Sequence, residues 1–251
     1  MSTWGSWAVE IGGSACRACG SAGLQPVLAH DGLTLVLCPD CGLAQLPTRA
    51  DEADAAVGPL CRPRGPTRAE DVIQAVRTAD AADLLRGETV RHFGGAHGGS
   101  WLPLLTAMGM RTVYGGPADV VVDSFGAMHD RGQRAAIAQL AAATAPAGVL
   151  LMQFDPVAEN LRRGEWDMLS RNHFAYYSLT SLSRLLAAEQ MSVVAAWKLD
   201  LHGGTTMLAA VHASQWPVDA EVSRMLTEEH QLGVASGDGF EDLRRRSGRD
   251  R

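Results

Sequence analysis

Apolar and polar positions change period several times along the chain, and the changes predict its elements. From Thr67 onward, Val72, Ile73, Val76, Ala79, Leu84 and Leu85 recur at helical spacing. A short run at Val90 to Phe93 then meets Gly94-Gly95-Ala96-His97-Gly98-Gly99 and an apolar stretch over 101–110. Strand, glycine-rich turn and helix open a Rossmann-type unit, in which helix N-terminal amides face a ligand, so Gly94, Gly95 and Gly98 become candidate cofactor contacts. Asp119 to Asp123 reads as a buried strand, Gln133 to Ala145 as a helix and Val149 to Phe154 as another strand. A helix follows from Thr180 to about Gln190. Val193 to Leu199 and Thr206 to Val211 read as a closing antiparallel pair around His202-Gly203-Gly204. The end of the chain, with Arg244-Arg245-Arg246, reads as a flexible tail over 237–251. Strands alternating with helices in this way predict the α/β class, with a reduced, mostly parallel sheet.

Four of the five cysteines change the picture at the other end. Cys16, Cys19, Cys38 and Cys41 form two C-x-x-C pairs separated by 18 residues. That spacing suits a tetrahedral four-thiolate Zn2+ site, which keeps no open coordination position and is therefore structural. Gly20 and Gly42 follow the second cysteine of each pair, where a tight turn lets backbone N–H groups face sulfur. Disulfides are the alternative, disfavoured by the absence of a secretory pattern at Met1 to Gly13. Cys61 is left over as a free thiol. The chain then divides into a zinc module (1–48), a Pro-, Ala- and Asp-rich linker (49–66), an α/β core (67–236) and the tail.

Charge and composition mainly exclude. Twenty-two basic against 28 acidic residues give a formal charge of −6, so neither nucleic acid nor an anionic membrane is attracted by the overall field. No apolar run approaches the ~20 residues that span a bilayer. A cytoplasmic protein is the expectation.

The array Cys38-Pro-Asp-Cys-Gly-Leu-Ala-Gln-Leu46, the segment Asp119-Val-Val-Val-Asp-Ser-Phe-Gly-Ala-Met-His129, the segment Asn172-His-Phe-Ala-Tyr-Tyr-Ser178 and the His202-Gly-Gly-Thr205 turn together resemble bacterial sugar C-methyltransferases with an N-terminal zinc domain. The resemblance covers about residues 14–230. It implies a class I S-adenosylmethionine (SAM) fold behind the zinc module, followed in the family by a further C-terminal domain. It also implies methyl transfer to the carbon beside the keto group of a nucleotide-linked deoxysugar. By that resemblance His173 takes the place of the catalytic histidine and His129 that of a second histidine. Asn172 stands where the family has a glutamate, and Ser170 where it has a tyrosine.

One feature of the residues departs from that family. Arg111 to Tyr114 has the makings of a second parallel strand, yet only Gly115 to Ala118 separate it from Asp119. A helical crossover needs at least ~10–12 residues, so the strand carrying a ribose-binding acid and the strand cradling adenine have no room. Read by length, the chain also stops near where the family's C-terminal domain begins. SAM is accordingly a doubtful cofactor, and three functions are expected in order. The first is a tailoring enzyme of deoxysugar or natural-product biosynthesis in which His173 and His129 move a proton beside a carbonyl, giving isomerisation, epimerisation, elimination or cyclisation. The second is a SAM-dependent C-methyltransferase on a keto-sugar nucleotide. The third is a non-catalytic, zinc-containing subunit docked on a protein partner that supplies the absent domain.

Overall fold

The computed structural model describes residues 14–30, 32–47, 69–94, 99–165, 169, 173–200, 204–212 and 216–247. Asn172, Gly95, Gly98, Cys61, His202 and the linker 49–66 lie outside the described residues.

Two sheets organise the molecule. The first begins with β1 (Gln25–His30), β2 (Leu33–Leu37) and β3 (Ala44–Gln45), an antiparallel meander following the first cysteine pair and interrupted by the second. The second holds β4 (Thr89–Gly94), β5 (Arg111–Thr112), β6 (Ala118–Ser124) and β7 (Thr144–Phe154). Far along the chain, β8 (Ala175–Tyr176) joins the first sheet, while β9 (Met191–Leu199) and β10 (Thr205–His212) join the second. The orders are β1-β2-β3-β8 and β5-β4-β6-β7-β10-β9. In the larger sheet β5, β4, β6 and β7 run parallel, and β10 runs antiparallel to both β7 and β9. This is the mostly parallel α/β sheet that the sequence pattern predicts.

The central strands are long β-branched and aliphatic runs because both of their faces are covered. On one face lie α1 (Ala69–Ala81) and α2 (Leu102–Ala107), where Val72, Val76, Trp101 and Leu105 pack against Val120, Val122 and Leu151. The other face carries α3 (Gln133–Ala143) and α5 (Leu179–Ala188) with α6 (Ala220–Gln231) beside them, and it also receives Cys16, Cys38 and Leu43 of the cysteine module. Helix α5 starts at a capping box between Ser178 and Ser181, and α6 starts at Asp219, whose carboxylate accepts from Glu221 N–H.

The described part of the tail, 237–247, is folded. Asp238–Ser247 forms a helix, α7, which packs against β1 and against α4 (Val157–Arg163). Phe240 and Leu243 are buried there among Val27, Leu28, Leu37 and Leu161, so burial of an apolar edge holds this charged helix down. The cysteine module is not a self-contained unit either. Its sheet is completed by β8 from the core, and α7 from the chain's last residues closes its apolar side.

Candidate functional site

The four cysteine sulfurs lie within 4.8 Å of one another, with Cys16 and Cys41 3.6 Å apart and Cys19 and Cys38 3.5 Å apart. A disulfide requires ~2.05 Å, so these are thiols. A tetrahedron of four sulfurs at ~2.3 Å from one zinc has edges of ~3.8 Å, close to the two short pair distances here and inside the 4.8 Å span of the cluster. The two C-x-x-C-G loops share one geometry. Gly20 N–H donates to Cys16 C=O at 2.9 Å, and Gly42 N–H donates to Cys38 C=O at 3.0 Å. Both glycines have positive φ, 77° and 74°, the conformation that favours glycine over any residue with a side chain. Amides of Ala18 and Cys19 face the Cys16 sulfur, and that of Leu43 faces Cys41. The thiol of Cys41 pulls Cys16 down to about 5, and the same contact pushes Cys41 up. Four sulfurs this close cannot all ionise without a cation among them.

The first loop is locked to the core by arginines. Arg17 donates through its backbone N–H to Gln45 Oε1 at 2.9 Å, and through its guanidinium to the carbonyls of Leu46, Pro47 and Arg131. Arg134 at the start of α3 donates back to Ala18 C=O at 2.8 Å. Behind this junction β3 pairs with β8, and Leu46 N–H donates to Phe174 C=O at 3.2 Å.

That pairing places His173. It is buried at 8% exposure, one residue from Phe174, whose N–H donates to Met128 C=O at 3.0 Å. Met128 belongs to a 3-10 turn, Ala127–His129, at the carboxyl end of β6. The two predicted histidines, 44 residues apart in sequence, therefore meet: their rings contact edge-on with centroids 4.4 Å apart, and the His173 ring also meets Tyr176.

Around this pair lies a polar cluster that the sequence did not mark out as a unit. Asp123, at 2% exposure, turns both carboxylate oxygens to Ala127 N–H at 3.2 Å, and burial pushes its pKa up to about 7. Gln133 is wholly buried and bonds to the same turn, and it accepts a hydrogen bond from the Tyr177 hydroxyl. Burial raises the Tyr177 pKa well above its ordinary value. Phe125, linking β6 to the turn, sits at φ 61°, a strained conformation for a residue with a side chain. A polar residue following the buried Val120–Val122 run was the available signal for Asp123, whereas nothing local marks Gln133.

The glycine-loop prediction fares differently. Gly94 ends β4, but the space beside it is taken by the chain itself: a Cβ there would lie 2.4 Å from His92 Cε1 and 3.0 Å from Ser124 Oγ. His92 Nε2 and Ser124 Oγ are 3.0 Å apart, and that hydroxyl also donates to Gly99 C=O at 3.1 Å. Glycine at 94 thus makes room for an imidazole. Strand β5 is a two-residue edge whose Thr112 lies level with Val90, the same level as Val120 of β6. Residues 113–117 then lead to β6, a span of two strand spacings, ~10 Å, within reach of five residues. The edge strand therefore stops at the amino end of the sheet and never rises to the ligand-facing carboxyl edge. Asp119 is equally remote. Its carboxylate accepts from Glu88 N–H, Thr89 N–H and the Thr89 hydroxyl, which fixes the start of β4.

No protein-family model matches the chain. Over 105 residues it is 31% identical to the C-methyltransferase NovU of Streptomyces niveus, a match taking in 41% of this chain and 25% of that protein. This chain is similar to a C-methyltransferase. The matched part spans about a quarter of the curated relative's length. Among solved structures, the chain is similar to the 1,6-didemethyltoxoflavin-N1-methyltransferase of Burkholderia thailandensis with bound 1,6-didemethyltoxoflavin and S-adenosylhomocysteine. The TM-score is 0.46 and the identity 14%, over 76% of this chain and 100% of the other. It is also similar to the CcbJ methyltransferase of Streptomyces caelestis, with TM-score 0.45 and 12% identity over 58% and 97% of the two chains. No helix among the described residues is long and apolar enough to cross a membrane.

Proposed function

We propose that this chain is a C-methyltransferase-like enzyme that moves a proton at the carbon beside a carbonyl of a small molecule, with a nucleotide-linked keto-deoxysugar as the substrate class. The observation that carries the reading is the His129–His173 contact at the carboxyl end of β6, the edge where open α/β sheets place their ligands. An imidazole suits this chemistry because it changes charge near neutral pH and can both take and return a proton. One histidine removes the α-proton, the C–H electron pair passes into the enolate, and the proton's return to another position or face gives an isomer or epimer. The second histidine is within reach to donate a hydrogen bond to the enolate oxygen.

Cys16, Cys19, Cys38 and Cys41 are proposed to hold one structural Zn2+, supported by the mutual spacing of their sulfurs and the amides turned toward them. With four thiolate ligands the ion's role is to fold the module and fix its junction with the core.

The proton-transfer reading is supported by the position of β5, which pairs only with the start of β4, away from the ligand edge. A second reading, methyl transfer from SAM onto the same enolate carbon, is favoured by the likeness to NovU. Two experiments test the readings, the first on the proton step they share and the second on the methyl donor. Incubation of a nucleotide-linked keto-deoxysugar with the protein in D2O should bring deuterium into the carbon beside the carbonyl, read by NMR. His173→Ala and His129→Ala should each slow this about 10²–10⁴-fold. Wild-type rates in both variants would end the proton-transfer reading. Saturable SAM binding by calorimetry, with a methylated product, would establish the second.

A further inference from the structure

We infer that Gln133 is a positioning residue that sets His129 against His173. This deepens the reading above and rests on it. Gln133 opens α3 directly after Gly132, is wholly buried, and uses its amide in three directions. Nε2 donates to Ala127 C=O at 2.7 Å and to Asp130 C=O at 2.6 Å, the carbonyls at the two ends of the turn that carries His129. Oε1 accepts from the hydroxyl of Tyr177, four residues beyond His173 in the segment that forms β8 and enters α5.

One side chain thus ties together the two stretches of backbone that bear the histidines. A second tie is the main-chain bond from Phe174 N–H to Met128 C=O. Between them they hold the two segments from both sides of the ring contact. The chemistry required is specific to glutamine. Two carbonyls need two donated hydrogens and the phenol needs an acceptor, which only a primary amide supplies from one group. Glutamate offers the acceptor but turns negative charge on both carbonyls, and a hydrocarbon of the same length offers neither. A side chain that merely filled core volume would be replaceable by methionine with no change at the histidines.

The test is Gln133→Met in the full chain, read by aromatic NMR and by deuterium wash-in. Wild-type protein should show nuclear Overhauser contacts between the imidazole C–H groups of His129 and His173. Gln133→Met should lose them while far-UV circular dichroism is retained, and the wash-in rate should fall at least ten-fold with KM unchanged. Tyr177→Phe, which removes one of the three bonds, should give an intermediate loss, and it decides the question if Gln133→Met does not fold. Retained imidazole contacts in whichever of the two variants folds would overturn the inference. Failure of the functional reading looks different: wild-type protein would give no wash-in, yet the imidazole contacts would still depend on Gln133.

Discussion

Removing the proposed Zn2+ from the four-cysteine cluster should release His173 while leaving the larger sheet folded. A structural zinc site contributes ~10–16 kcal/mol at neutral pH, comparable with the ~5–15 kcal/mol that holds a whole domain together. Without the ion the two C-x-x-C-G loops have no reason to stay converged. The attachments that depend on them are identifiable: Arg17 to Gln45, Leu46, Pro47 and Arg131; Arg134 to Ala18; the β3–β8 pairing; and Leu46 N–H to Phe174. The β6, β7 and β10 ladders contain none of these residues, and their side chains stay covered by α1 and α2 on one face. Protein stripped with a thiol-reactive mercurial and EDTA, then followed by hydrogen exchange and mass spectrometry, should lose protection over 14–47 and 173–177. Protection over 118–124, 149–154 and 205–211 should persist. Restoring zinc under reducing conditions should reverse the change, and metal analysis of untreated protein should give about one ion per chain. Unchanged exchange over 173–177 after complete metal loss would refute the reasoning, as would collapse of both regions in one transition.

Three further outcomes follow from buried groups. Asp123 has a folded pKa near 7 against an ordinary 3.8, so the folded state retains a proton that the unfolded state releases from about pH 4 upward. Stability is therefore unaffected below that range and falls as pH rises toward 7, by about 4 kcal/mol at most. Asp123→Asn should remove this slope, so that its Tm relative to wild type rises between pH 5 and pH 8; a constant difference would contradict the assignment. Glu229 accepts from Leu179 N–H, Thr180 N–H and the Thr180 hydroxyl at 2.7–2.8 Å, which caps α5 from a neighbouring helix. Glu229→Ala should cost about 3 kcal/mol in urea unfolding, since it strands buried donors. Phe240→Ala should cost about 3–5 kcal/mol in the same assay if α7 is part of the folded protein, and nothing measurable if the tail is loose.

Much of the architecture was legible because its signals are local. The β-branched run at Val120–Val122, the amphipathic pattern from Val72 to Ala79 and the antiparallel pair ending the core all appear where periodicity places them. The tail was misread because charge density in Arg244–Arg246 outweighed two apolar residues, Phe240 and Leu243, whose burial depends on a surface made by β1 and α4. Two-residue strands such as β3 and β8 carry no periodicity at all. β3 exists because β2 and β8 lie beside it, and β8 because β3 does.

The sequence by itself determined which four cysteines converge, since C-x-x-C spacing fixes which sulfurs can meet. It also determined that no crossover helix fits between Thr112 and Ala118, because chain length alone sets that limit. Only the tertiary structure decided that Gly94 makes room for His92, and that a glutamine joins the two histidine segments. It also showed that the cysteine module's sheet runs on into the strand behind His173. The physical reason is common to all three, since His92 is held beside Gly94 by Ser124, 32 positions on. A hydrogen bond or close contact between residues tens of positions apart leaves no trace in local spacing, and it forms only once the sheet and the module have brought its partners together.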